Sequence, residues 1–254
     1  MRLSISMQVV AFTLVAASAS AQQAGRATDP NLTRAREHYS AGWEYMRSEA
    51  FERAAAEFQL ATDFNPKLSM AWYGLGRAHL ALRKYQQALL NLKECYALFE
   101  AESGTKFNDQ MAADRARRDH LMELEDIRNS YTKGPQTNQS RDMLRLVENQ
   151  IADTNAAIER GVNVEFGEPV PAFVTLSLGS AFFRTERFAE AEKAYRAALR
   201  VDDRLGAAHN NLAVIYLMQE RFVDANEHIL AAERVGFFVN PDLKQEVSSK
   251  MAKR

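Results

Sequence analysis

The chain has 254 residues, 32 Lys+Arg against 33 Asp+Glu, a net charge of −1 and 46% hydrophobic residues. So even a balance gives no electrostatic excess to draw in nucleic acid or anionic lipid, and generic polyanion binding is excluded as an expectation. Its length and apolar content suffice for a sizeable core, in one elongated domain or two small ones.

At the N-terminus, Met1-Arg2 gives a short positive end, Val9 to Ala17 an apolar run, and Ala19-Ser20-Ala21 a small-x-small cleavage pattern. Together they predict a signal peptide over residues 1–21, a mature chain from Gln22, and a periplasmic or secreted location. The run falls short of the ~20 residues that span a bilayer, no Cys adjoins the cleavage site, and no later segment is long and apolar enough to cross. The single cysteine, Cys95, cannot form an intramolecular disulfide, so stability must come from packing.

Asp29-Pro30 then opens a helix by cap and first-turn proline. Downstream, Phe51-x-x-Ala54-x-x-x-Phe58-x-x-Ala61 is echoed by Tyr85…Ala88…Leu92…Cys95, by Phe188…Ala191…Tyr195…Ala198 and by Phe222…Ala225…Ile229…Ala232. Upstream of each lies a second set: Gly42 with Tyr45, Gly76 with His79, Gly179 with Phe182, and Ala213 with Tyr216. Neighbours within each pair are ~34 residues apart. Small residues in both helices let two backbones approach, with an aromatic filling the gap beside the turn. Cys95 stands where the other copies carry Ala, which reads as a packing residue rather than a reactive thiol. Asn65-Pro66 fits a cap and first-turn proline for the next helix.

This pattern resembles the tetratricopeptide repeat (TPR) family over residues 35–102 and 172–239, in two tandem pairs. The fourth slot departs from it, aromatic only as Trp72, with His38, Thr175 and His209 elsewhere; repeats two to four lack the closing proline.

Between the pairs, two longer helical runs are predicted, Asn108 to Tyr131 and Ser140 to Arg160, joined by a turn at Gly134-Pro135. Leu121, Leu124, Ile127 and Tyr131 stripe the first; Leu144, Val147, Ile151, Thr154 and Ile158 stripe the second. Each would reach ~30 to 36 Å. This hairpin is expected either to stack in line between repeats two and three or to project as an oligomerisation arm, and the need of every repeat for a neighbour favours stacking. Gly161 ends the second run, and Val162 to Val170 reads as an extended hinge or a strand-like segment crossing the groove. Past repeat four, Gly236 is a stop, Phe237-Phe238-Val239 an apolar tie, and Asn240-Pro241-Asp242 the start of a capping helix with Leu243, Val247 and Met251 inward.

The family resemblance implies an all-α solenoid in which first helices line a concave groove for a protein or peptide. It places Arg36, Tyr39, Trp43 and Arg47 from repeat one, Tyr73 and Arg77 from repeat two, and Phe183, Arg184, Asn210 and Asn211 from repeats three and four on that groove. Arginine and aromatic side chains suit recognition of an extended or helical segment. For each, packing against the hairpin or against Val162 to Val170 is the alternative role. The carboxylate clamp of some TPR proteins needs Lys and Asn at set positions, and only Asn211 matches.

Nothing in the sequence asks for catalysis. His38, His79 and His209 fall in repeat slots, His120 and His228 stand alone, and no metal-ligand spacing or cofactor motif emerges. Gly74-x-Gly76 lacks a third glycine and a preceding strand, and Glu123-x-Glu125-Asp126 reads as a solvated face. The expected organisation is a signal peptide (1–21), a first segment with a repeat pair (22–102), a hairpin and linker (103–171), a second pair (172–239) and a cap (240–254). The expected role is an exported, non-catalytic scaffold with no cofactor and no nucleic acid, the alternatives being a self-assembling homo-oligomeric envelope component built on the hairpin and, more remotely, an unrecognised hydrolase.

Overall fold

A computed structural model describes residues 30–102, 105–106, 110–133, 138–160, 165–166 and 170–252. The signal-peptide region, the Gly134-Pro135 turn and Gly161 lie outside them. Among the described residues eleven helices run in chain order: α1 (Pro30–Arg47), α2 (Phe51–Phe64), α3 (Ser69–Ala81), α4 (Tyr85–Glu102), α5 (Gln110–Lys133), α6 (Asn138–Arg160), α7 (Ala172–Arg184), α8 (Phe188–Val201), α9 (Gly206–Met218), α10 (Phe222–Arg234) and α11 (Pro241–Ala252). Two short strands, β1 (Thr105–Lys106) and β2 (Glu165–Phe166), complete it.

Each repeat is an antiparallel pair, α1–α2, α3–α4, α7–α8 and α9–α10. The first helix of each stops in the same way. Glu49, Arg83, Glu186 and Glu220 take positive φ of 58° to 62°, and the next amide reaches back to the carbonyl of Tyr45, His79, Phe182 or Tyr216 at 2.8–2.9 Å. This left-handed stop satisfies a carbonyl the helix would otherwise leave bare, and turns the chain into the second helix. Close approach of the helices depends on missing side chains. A Cβ on Gly42 would fall 2.6 Å from Phe58, and one on Gly74 would strike the same ring, so Phe58 is wedged between glycines of α1 and α3. Gly76 meets Leu92 and Gly179 meets Tyr195 alike. Cys95 is fully buried in this core, as are its alanine counterparts Ala61, Ala198 and Ala232.

The inserted hairpin neither stacks in line nor projects. α4 packs directly on α7, with Lys93 over the Phe182 ring and Arg184 over the Tyr85 ring, so the solenoid runs on from repeat two to repeat three. The excursion closes at its base, where Thr105 pairs with Phe166 and Lys106 with Glu165 in an antiparallel ribbon. Glu165–Phe166 therefore pairs with β1 instead of crossing the groove. From there α5 returns along α1, and α6 lies against α7 and α9. Both predicted stripes turn inward: Leu124, Ile127, Val147 and Thr154 are fully buried, Leu121, Tyr131, Leu144, Ile151 and Ile158 are half-buried, and Met143, outside the predicted stripe, is buried with them.

One boundary differs from the sequence reading. Asn65-Pro66 does not start α3, which begins at Ser69; the Asn65 side chain instead accepts the Lys67 amide at 3.2 Å in a tight turn. Trp72 braces that turn by donating Nε1–H to the Pro66 carbonyl at 2.8 Å. At the far end, Gly236 (φ +82°) ends α10, Asn240 accepts the Asp242 amide at 2.8 Å, and Val247 anchors α11 in the core. Of the apolar tie, Phe237 packs on Gly206 and Val239 is buried, while Phe238 stays 67% exposed.

Candidate functional site

First helices α1, α3, α7 and α9 form one face, and the hairpin occupies part of it. Its seating is read off four contacts in register. Arg36 pairs with Asp119 at 2.8 Å, Tyr39 donates its hydroxyl to the Glu123 carbonyl at 2.7 Å, Ser40 donates to Asp126 at 2.6 Å, and the rings of Trp43 and Tyr131 lie 6.3 Å apart. Both numbers climb together, so α5 runs parallel to α1. On the other side Arg145 of α6 donates to the Arg204 carbonyl at 2.7 Å and pairs with Asp202 at 3.3 Å.

Apolar burial dominates this seat. Each fully buried Leu, Ile, Met or Val contributes roughly 1.5–3 kcal/mol, whereas an ion pair as exposed as Arg36–Asp119 is worth below about 1 kcal/mol. The polar contacts fix register. Burial, then the Glu123 and Asp126 charges, push the Tyr39 hydroxyl well above its ordinary pKa, so it stays a proton donor.

The expected groove residues therefore separate into groups. Tyr39 and Trp43 face the first-helix surface but are buried under α5, while Arg36 stays exposed and pairs with Asp119 of α5. Tyr73 is fully buried between Trp43 (rings 6.1 Å apart) and Phe173 (5.0 Å). Arg47 lies 3.8 Å from Glu44 and does not line the cavity. Arg77, Phe183, Arg184, Asn210 and Asn211 come together around an open cavity of about 580 Å³.

That cavity begins where the hairpin stops. Arg77 lies with its guanidinium 5.8 Å from the Tyr131 ring centre on one side and lines the cavity on the other; its Nε is buried without a hydrogen-bond partner. Arg83, Arg184, Ser180, Tyr85 and Tyr195 join the wall. Burial pushes the Tyr195 hydroxyl up to about 12. Sequence reasoning missed Arg83, yet a signal existed: the left-handed stop residue is Glu in the other three repeats and Arg only here.

The tetratricopeptide-repeat profile matches residues 31–98 and 176–235, the four helix pairs and no part of α5 or α6. The chain belongs to the tetratricopeptide-repeat family. TPR proteins are generally non-catalytic scaffolds for protein–protein interaction, and their first helices form the face on which partners are held. No curated protein sequence matches this TPR chain. Among solved structures, PilW, a type IV pilus biogenesis factor, aligns with TM-score 0.42 and 14% identity over 86% of each chain. MamA from Desulfovibrio magneticus RS-1 aligns at 0.30 with 17% identity, over 80% of this chain and 95% of its own. The TPR2AB domain of yeast Sti1 aligns at 0.29 with 15% identity, over 86% and 99%. At these scores none of them carries a partner or a role over to this chain.

Proposed function

We propose that this TPR protein is an exported, non-catalytic scaffold that holds a partner protein on the face of its first helices, at the end its hairpin leaves open. The observation that carries the reading is the division of that face. α5 covers repeat one, while Arg77, Phe183, Arg184, Asn210 and Asn211 converge on a half-open cavity of about 580 Å³, within the ~300–1,000 Å³ typical of binding sites. Arginine, aromatic and amide side chains there match the composition of interaction hot spots.

Export rests on residues 1–21 alone, with their positive end, apolar run and Ala19-Ser20-Ala21. Among the described residues no helix is long and apolar enough to cross a membrane. Mass spectrometry of the chain from its producing cells should find Gln22 as the first residue; an intact Met1 end would remove the export part.

The hairpin stripes that motivate self-assembly are turned into the chain's own core, which favours the scaffold reading. Its test is quantitative capture of a partner from producing cells. A Phe183→Ala/Asn211→Ala double variant should lose a partner that wild type and Leu90→Gln both retain, Leu90 being 67% exposed on a second helix. Loss with Leu90→Gln and retention by the double variant would move the binding surface off the first helices.

A further inference from the structure

Resting on that reading, we infer that the cavity receives a carboxylate-bearing segment of the partner, an Asp or Glu side chain beside an aromatic one. Three guanidinium side chains line it, Arg77, Arg83 and Arg184, and no carboxylate does. Several arginines elsewhere are matched on the chain itself: Arg36 with Asp119, Arg145 with Asp202, Arg187 with Glu190, Arg196 with Glu192 and Arg221 with Asp224. Among the described residues none of the three cavity arginines has an acidic partner.

Arg77 is the sharpest case. Its Nε is buried with no acceptor, and the side chain lines the cavity with no carboxylate beside it. A guanidinium is a planar fork whose natural complement is a carboxylate held by two parallel bonds. Converging positive charge inside half-enclosed walls concentrates the field on an incoming anion.

The remaining wall narrows the anion to a peptide. Asn210, Asn211 and Ser180 offer donors and acceptors suited to main-chain amides, and Tyr85 and Phe183 supply aromatic surface. A bare anion would use the arginines and leave that surface empty. This is a different arrangement from the Lys/Asn clamp of other TPR proteins, since Arg77 stands inside α3, Arg184 at the end of α7 and Arg83 on a left-handed turn.

The test is a titration of the full mature chain with two capped octapeptides, one carrying Glu-Phe-Glu at its centre and one carrying Gln-Phe-Gln, and with inorganic phosphate. The acidic peptide should bind at least ten-fold tighter than its amide twin, with affinity falling as salt rises. Arg77→Gln and Arg184→Gln should each weaken it by about ten- to hundred-fold, the loss of one charge-assisted contact, while Arg187→Gln, already paired and outside the cavity, should not. Unchanged melting of the Arg184→Gln protein keeps that result interpretable even if Arg77→Gln fails to fold. Equal affinity for both peptides, no binding of either at millimolar concentration, or phosphate binding as tightly as the acidic peptide would each overturn the inference. The Phe183/Asn211 capture experiment would still stand or fall on its own.

Discussion

The hydroxyl of Tyr39 on α1 donates to the main-chain carbonyl of Glu123 on α5 at 2.7 Å, joining the first repeat to a hairpin far along the chain. Tyr39 is 1% exposed and its ring also packs on Trp43 and Phe58, so the hydroxyl can be removed without emptying the site. The Glu123 carbonyl lies inside α5 and keeps its own helical amide. Tyr39→Phe should therefore cost about 1 kcal/mol and quicken hydrogen exchange in α5 more than in α8 or α10. Exchange in α5 that stays at the wild-type rate would show that this bond does not hold the hairpin down.

Phe58 between Gly42 and Gly74 gives a second prediction. A methyl at Gly42 would sit 2.6 Å from the Phe58 ring, so Gly42→Ala should destabilise by about 1–3 kcal/mol through overpacking. Trimming the ring relieves the clash: in a Phe58→Leu background the same change should cost clearly less, read as a coupling energy from a double-mutant cycle of thermal melts. Strict additivity would mean that the ring moves aside freely.

His209 and His228 give a third, set by pH. Their Nδ1 atoms lie 2.7 Å apart, and His209 Nε2 is 3.0 Å from the Asp203 carbonyl. With Nε2–H donating to that carbonyl, His209 Nδ1 accepts the proton of His228, and both rings are neutral. Burial, then His209, then Arg196 lower the His228 pKa to about 4, with Arg221 adding to them and Asp224 opposing. An unfolded histidine titrates near 6.5, so between about 6.5 and 4 the unfolded chain binds a proton that the fold does not. This stability is complete above that window and is lost as pH falls through it. The site is partly exposed, so solvent screening holds the effect to about 1–2 kcal/mol. The melting temperature of His228→Gln should fall less between pH 7 and pH 4.5 than that of wild type; parallel curves would contradict the assignment.

Much of this fold is legible in the sequence, because repeats expose their own logic. Phe58, Leu92, Tyr195 and Ile229 recur with small partners at fixed offsets, and each meets its expected core. The stripes of Leu124, Ile127 and Val147 correctly announce helices that must bury one side. They do not say against what, since an apolar stripe is satisfied equally by a stacked repeat, another copy or the first-helix face. That ambiguity hides the burial of Tyr39 and Trp43 under α5 and the pairing of Arg36 with it. Asn65-Pro66 misleads for a local reason: an Asn that can cap a helix can also close a turn onto Lys67. Arg83 escapes notice because only the left-handed stop reveals its position as the equivalent of Glu49, Glu186 and Glu220.

On the proposed reading a partner protein sits on the first-helix face at the end the hairpin leaves open. Photo-cross-linking in producing cells tests it most directly, with a photoreactive residue placed in turn at Phe183, Trp43 and Leu90. Adducts to a partner protein from position 183, with none from the covered position 43 or the outer position 90, are the predicted result. Adducts from position 90 with none from position 183 would contradict it.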